Sequence, residues 1–214
     1  SCALADTGHE VTVFLPLYRE TKSKDVPLRD EELRLHSQVG NRSIAYSLFR
    51  VRRKKVTFYF IKQDEYFNRE YLYGSPHGEY EDNALRFAFF SKAALKSLQY
   101  LQIQPDIVHA HDWQSALAPL YMKVMPEFSA AFAGVKTVFT VHNLLYQGIF
   151  TKEALPRIGL GWEFFTHESL EFYGSINFMK AGLVYSDIIT TVSKSYAKEI
   201  QTPYFGERLD GILA

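Results

Sequence analysis

Two short stretches hold the side chains best suited to chemistry: Val108-His109-Ala110-His111-Asp112-Trp113 and Val138-Phe139-Thr140-Val141-His142-Asn143. Each is an apolar run that ends abruptly in hydrogen-bonding residues. His142 and Asn143 set an imidazole and an amide side by side, with several donors and acceptors in a small space. Buried without partners such groups are costly, so they either bond the neighbouring loop or serve a ligand. Asp112 follows the first run directly. It could cap a following helix through its carboxylate, or hold the hydroxyls of a substrate, or divide its two oxygens between both tasks.

His109 and His111 invite a metal test, because alternate residues of a strand point to the same face. A zinc or iron site needs further His or carboxylate ligands, and no third ligand is marked among the seven histidines. No metal is therefore expected. Trp113 reads either as core or as a flat platform for the apolar face of a pyranose. The chain has no Ser-based nucleophile elbow, no GxGxxG and no P-loop lysine pattern.

The elements that must position these groups follow from pattern. Asp106 to Ala110 and Val135 to Val141 read as buried strands of a parallel sheet, limited by Pro105 and Gly134. In open α/β sheets ligands bind beyond the carboxyl ends of the strands, which is where Asp112, His142 and Asn143 fall. Val11 to Leu15 is a first strand, stopped by Pro16 and preceded by a helix end over Ser1 to Asp6 with Gly8 as its terminating glycine. A polar loop with Thr21, Lys22, Ser23, Lys24 and Asp25 follows. Ile44, Tyr46 and Leu48 alternate in a half-exposed strand, and Val56 to Ile61 forms another. Arg52-Arg53-Lys54-Lys55 between them reads as a hairpin tip, either a patch for a polyanion or, in a chain of neutral net charge, a solvated turn. Asp64 to Glu81 shows no period and reads as a long loop. Asp82 is placed as the N-cap of a helix carrying Ala84, Phe87, Ala88, Ala94, Leu95, Leu98 and Leu101 at helical spacing. A helix through Ala116, Leu120 and Met122 follows the first chemical stretch. Leu144 to Phe165 is irregular. Ile176 to Val184 is a helix, Asp187 to Val192 a strand, and Ser193 the N-cap of a helix through Ile200. Strand–helix alternation implies βαβ units, an α/β class and a Rossmann-like parallel sheet with helices on both faces.

Composition narrows the partners. The 214 residues are 47% apolar, enough for one domain with a sizeable core. Lys+Arg and Asp+Glu are equal at 24, so no net field favours nucleic acid or an anionic membrane. No run of 18 apolar residues marks a membrane span. The single cysteine, Cys2, excludes an internal disulfide and suits a reducing compartment. The start at Ser1 and the stop at Leu213-Ala214 are read as those of a fragment cut at both ends.

Taken together, the motifs resemble a family. Val-His-Ala-His-Asp-Trp-Gln-Ser-Ala-Leu-Ala-Pro (108–119), Val-Phe-Thr-Val-His-Asn-Leu-Leu-Tyr-Gln-Gly-Ile-Phe (138–150), Ile-Asn-Phe-Met-Lys-Ala-Gly (176–182) and Thr-Val-Ser-Lys-Ser-Tyr-Ala-Lys-Glu-Ile-Gln-Thr-Pro (191–203) resemble bacterial glycogen synthase and plant starch synthase. Tyr80-Glu81-Asp82-Asn83-Ala84-Leu85-Arg86-Phe87 matches as well, ahead of the other four, in the family's order and spacing. The resemblance implies the N-terminal, acceptor-side half of a GT-B two-domain glycosyltransferase over residues 1–214, without its C-terminal donor-binding domain. It implies transfer of glucose from ADP-glucose or UDP-glucose to the non-reducing end of an α-1,4-glucan, with retention and with no metal or other cofactor. The partners it implies are the glucan, the nucleotide sugar and the protein's own C-terminal domain. The compartment it implies is bacterial cytoplasm, or a plastid in a plant or alga. The piece alone is expected to be inactive. The family's lysine–Gly–Gly segment belongs just before Ser1.

Carried over residue by residue, His142 matches the family's active-site histidine beside the donor glucose. Asp112 matches a carboxylate at the acceptor–donor junction, and Trp113 its aromatic neighbour. Asn143 would hold the sugar or the loop, Tyr80 and Asn83 match positions lining the acceptor groove, and Gln147 and Gly148 belong to the loop beside the histidine. Arg208 stands where the family usually has glycine, which questions the local turn if that position needs a positive φ. The alternatives are a non-catalytic glucan-binding module, or a related GT-B transferase with another acceptor.

Overall fold

A computed structural model describes residues 1–23 and 27–214. The architecture is mixed α/β, with parallel strands divided between two sheets. In the first, Val11–Pro16 pairs in parallel with Val56–Lys62, which pairs antiparallel with Arg42–Arg53, which pairs with Arg29–Val39. In the second, Lys136–Val141 lies between Ile107–His111 and Ile188–Thr191, all parallel. A small antiparallel sheet joins Glu171–Phe172, Ser175–Asn177 and Ile149–Thr151. No helix is long and apolar enough to cross a membrane among the described residues.

The long helix runs Asn83–Tyr100 and buries Phe87, Ala88, Phe89, Leu95 and Leu98. It packs on the Arg29–Val39 strand on one side and on the Leu117–Val124 helix on another. Asp82 occupies the N-cap position but does not cap. Its two carboxylate oxygens take Arg69 Nη1 at 2.8 Å and Nη2 at 2.5 Å. A bidentate guanidinium–carboxylate pair is stronger than one neutral cap bond, and it fastens the preceding stretch to the helix start. Ser193 does cap, accepting from Tyr196 N at 3.0 Å, and its helix is Lys194–Glu199.

Several expectations are corrected. The polar loop after Tyr18 is a helix over Arg19–Ser23; Lys24 and Asp25 lie outside the described residues. Asp64 to Glu81 is mostly irregular, but it opens with the helix Asp64–Phe67 and contains a minimal hairpin of Gly74–Ser75 with Gly78–Glu79. The irregular 144–165 region holds Ile149–Thr151, the helix Ala154–Arg157 and a 3-10 turn at Trp162–Phe164. The 176–184 helix starts at Phe178, because Ile176 and Asn177 belong to a strand and the Asn177 side chain caps the helix by accepting from Lys180 N. The tip of the long hairpin is the turn at Lys54-Lys55, as its charge suggested, with Lys54 at φ +55°.

The parallel three-stranded sheet places the chemistry. Its register pairs His109 with Val138 and Val138 with Ile188, and His111 with Thr140 and Thr140 with Thr190. These residues share one face. The other face carries Ala110, Phe139 and Val141 into the core. The strands are therefore buried on one face and partly open on the other, not buried on both. That is why polar side chains at alternate positions are tolerated.

Candidate functional site

The site forms where Ile107–His111 and Lys136–Val141 end. Asp112 leaves its strand at φ +52°, a left-handed conformation that Asp tolerates better than most residues. Its Oδ1 accepts the backbone N–H of His142 at 2.7 Å. The carboxylate thus clasps the end of the neighbouring strand, and it makes no cap bond to the Asp112–Ser115 turn of helix. That turn is stabilised instead by Ser115, whose Oγ accepts from His111 N at 2.6 Å and donates to His111 O at 2.7 Å.

Three imidazoles meet here. His109 and His111 stack at 4.2 Å between ring centroids. His109 Nε2 bonds Thr140 Oγ1 at 2.6 Å, and Thr140 Oγ1 bonds Thr190 Oγ1 at 2.7 Å. His111 Nδ1 lies 3.1 Å from His142 Nε2. The shared face of the two histidines, expected from their spacing, is used for stacking and for these bonds. Among the described residues no group of three His, Cys, Asp or Glu side chains is arranged to hold a metal ion. Loss of hydration lowers the pKa of His109, assisted by His142. The same loss, then His109 and His142, push His111 from 6.5 down to about 4. Both rings are neutral at pH 7.

The other sequence-marked residues divide into exposed and committed groups. Asn143 is exposed, and its Oδ1 accepts from Leu145 N at 3.0 Å in a local turn. Trp113 is only 7% exposed. Its ring sits among Phe87, Tyr73 and Phe150 at centroid distances of 4.7, 5.8 and 5.9 Å. Gly148, at φ +64°, lies so close that a Cβ there would stand 2.5 Å from Trp113 Cε3. A covered ring is a support and not a stacking platform. Gln147 is buried, with Nε2 donating to Glu207 O at 3.0 Å and Oε1 accepting from Asn177 Nδ2 at 2.5 Å. Its amide ties three segments together. Asn83, fully buried, donates to Tyr73 O at 2.8 Å and accepts from Arg86 Nη1 at 2.6 Å. Two guanidinium groups lie over the Tyr80 ring, Arg69 at 4.6 Å and Arg86 at 5.1 Å from its centre.

Thus the structure brings Asp112, His142 and Asn143 together at the open strand ends. Trp113 and Gly148 pack on each other and Gln147 bonds Glu207 and Asn177, while Tyr80 and Asn83 are anchored on the stretch that reaches Trp113 through Tyr73. Sequence reasoning missed Thr140, Thr190 and Arg86. Thr140 had a signal, since it stands two residues before His142 and so shares its face. Arg86 had none, because its bonds to Tyr66 O at 2.8 Å and Leu72 O at 3.0 Å come from distant carbonyls. Glu207 and Arg208 both have positive φ, +48° and +66°, so the turn questioned at Arg208 does use the left-handed region with a non-glycine residue.

The whole chain, residues 1–214, matches the sequence model of a family described as the starch synthase catalytic domain. A glycogen synthase of Koribacter versatilis is 45% identical over 220 residues, covering 99% of this chain and 43% of that protein. One from Thermodesulfovibrio yellowstonii is 43% identical over 221 residues, covering 96% of this chain and 44% of that protein. Among solved structures, the catalytic domain of starch synthase IV from Arabidopsis thaliana, bound to ADP and acarbose, superposes with a TM-score of 0.88 at 27% identity. The match covers 99% of this chain and 43% of that one. The chain therefore spans less than half the length of the relatives it matches.

Proposed function

Because the chain belongs to the starch synthase catalytic domain family, we propose that it forms the acceptor-side half of a glycogen or starch synthase. The reaction is transfer of glucose from ADP-glucose or UDP-glucose to the non-reducing end of an α-1,4-glucan, with retention. The observation that carries the reading is the clasp of Asp112 Oδ1 on His142 N at 2.7 Å. It fixes an exposed imidazole and its peptide at the carboxyl ends of parallel strands, where such sheets take their ligands. ADP and acarbose in the Arabidopsis relative support a nucleotide sugar and a glucan as the two substrates.

In this reading His142 works beside the donor glucose. Its free ring nitrogen bonds a sugar hydroxyl, and its backbone carbonyl faces the positive charge that develops at the anomeric carbon. A dipole already aimed at developing charge stabilises the transition state without reorganising. Asp112 holds that peptide in place, and Asn143 meets the sugar or its loop. Trp113, Gln147 and Gly148 act from below by fixing the loop, and Tyr80 and Asn83 shape the acceptor side. The basic groups for the diphosphate are assigned to a second, C-terminal domain, and so the chain alone binds glucan without turning over.

Two measurements test this. Calorimetry of the 214-residue chain should show binding of maltooligosaccharides and little binding of ADP-glucose. In a form of the protein that carries both domains, His142→Ala should lower kcat by about 10²- to 10³-fold, the usual cost of removing one preorganised group. Near-normal turnover of that variant would remove the His142 ring from the catalytic role, since alanine keeps the backbone carbonyl. A folded chain that binds no glucan would remove the acceptor-side assignment.

A further inference from the structure

The proposed reaction gives no task to His109 or His111, and of these two it is His111 whose ring contacts His142. The His111 backbone needs no help from its side chain, since Ser115 Oγ already bonds both His111 N and His111 O. Its side chain does not fill the core, because the residue is exposed. The ring makes two engagements. One is the stack on His109, itself anchored through Thr140 to Thr190. The other is the 3.1 Å contact of Nδ1 with His142 Nε2, the two rings tilted by 42°. The register explains the second. His111 lies opposite Thr140, and His142 stands two residues further on the same face.

We propose that His111 is a positioning residue for His142: its Nδ1, braced by the His109 stack, holds His142 Nε2 and leaves His142 Nδ1 as the nitrogen that meets the substrate. A hydrogen bond between two ring nitrogens requires one to donate and the other to accept. One proton therefore lies between the two rings, and the tautomer of each is set by the other. His111 is neutral at pH 7, as the partial loss of hydration and the neighbouring histidines require. The proton is thus not contested by a second positive charge. The peptide of His142 is fixed separately by Asp112, so backbone and ring are held by different residues. Orientation of a reacting or ligand-binding group by an outer hydrogen bond is commonly felt as a tenfold to hundredfold effect, on the order of what ordered histidine ligands lose when such partners are removed. The inference rests on the catalytic role given to His142 above, but its primary test does not require glucosyl transfer.

The test is nitrogen NMR of the 214-residue chain labelled at histidine. In the wild type we expect a scalar coupling across the hydrogen bond between His111 Nδ1 and His142 Nε2, and a single tautomer at His142. His111→Phe keeps a ring on His109 but has no nitrogen, so the His142 nitrogens should move to tautomer-averaged positions. His111→Asn places an amide atom near the position of Nδ1 and should restore one tautomer. No coupling in the wild type, or His142 nitrogen shifts in the Phe variant identical to wild type, would overturn the proposal without any variant having to be active. In the two-domain enzyme, His111→Phe should lower kcat by about tenfold to a hundredfold with KM little changed, and Asn should recover most of the loss. If the NMR results hold while His142→Ala leaves turnover intact, the pairing stands and the role of the His142 ring falls. If His142→Ala abolishes turnover while the coupling is absent, the role stands and the pairing falls.

Discussion

At the scale of single residues, the site is built by neutralising histidines and spending backbone strain on one carboxylate. Asp112 at φ +52° pays about 1 kcal/mol or more for a left-handed conformation, offset by a hydrogen bond from His142 N to a charged acceptor. The depressed pKa values have a stability consequence whose sign can be worked out. Unfolded histidine titrates near 6.5, whereas folded His111 titrates near 4 and folded His109 below its ordinary value. Between about pH 4 and 6.5 the unfolded chain binds more protons, so stability rises with pH through this window. It is fully present above 6.5 and lost progressively on acidification. His111→Asn removes one of the two groups while keeping a hydrogen-bonding atom. Urea midpoints measured from pH 7.5 to 4.5 should therefore fall less steeply for this variant than for the wild type. Parallel slopes would show that His111 is not held neutral by the fold.

At the scale of elements, the question is what keeps the loop after His142 in register with the strand ends. Gly148 and Gln147 answer it from the backbone outward. Their carbonyls accept from Phe178 N at 3.0 Å and Met179 N at 2.9 Å, which satisfies the first donors of the Phe178–Tyr185 helix. Gly148 combines a φ of +64° with contact on the Trp113 ring. Gly148→Ala meets both penalties, a left-handed alanine and a Cβ at 2.5 Å from a buried indole that is itself packed on all sides. A loss of about 2–4 kcal/mol is expected from strain plus overpacking, read as a drop in urea midpoint with unchanged slope. Gly8→Ala is the control, because Gly8 at φ +99° has nothing within 4 Å of its would-be Cβ and so isolates the backbone term. Equal losses in the two variants would mean that the Trp113 contact carries no weight. Much of this scale was legible in the sequence. The helical spacing of Ala84 to Leu101, the Ser193 cap and the strands ending at His111 and His142 follow from local pattern. The strand Arg29–Val39 was not read from the sequence at all: Leu33, Leu35 and Val39 alternate, but Ser37, buried at 3%, interrupts the apolar series. What sequence could not supply was which polar atoms were already taken. Gln147 and Asn83 look like ligand-binding amides until partners 60 residues away at Glu207 and 10 away at Tyr73 are seen to use them.

At the scale of the whole molecule, one face of the three-stranded parallel sheet and its two outer strands have no covering layer among the described residues. Ile107 is 57% exposed on one outer strand and Ile188 55% on the other, and the register puts both on the face that carries His109 and His111. Val192, Tyr204 and Phe205 add exposed apolar area beyond the end of the Ile188–Thr191 strand. The unpaired edges of Ile107–His111 and Ile188–Thr191 present backbone donors and acceptors that a second chain could pair with. Neutral net charge at pH 7 supplies no long-range repulsion to oppose such contact. The 214-residue chain in isolation should therefore associate with rising concentration, visible as a shift in sedimentation velocity across the micromolar to hundred-micromolar range. Ile188→Lys places a charge on the edge strand, a device by which natural sheets block edge pairing, and should return the chain to monomer without loss of thermal stability, since Ile188 contributes little to the core. A wild-type chain that stays monomeric over the whole range would mean that the open sheet face is too polar, through His109, Thr190 and Lys136, to act as an adhesive surface.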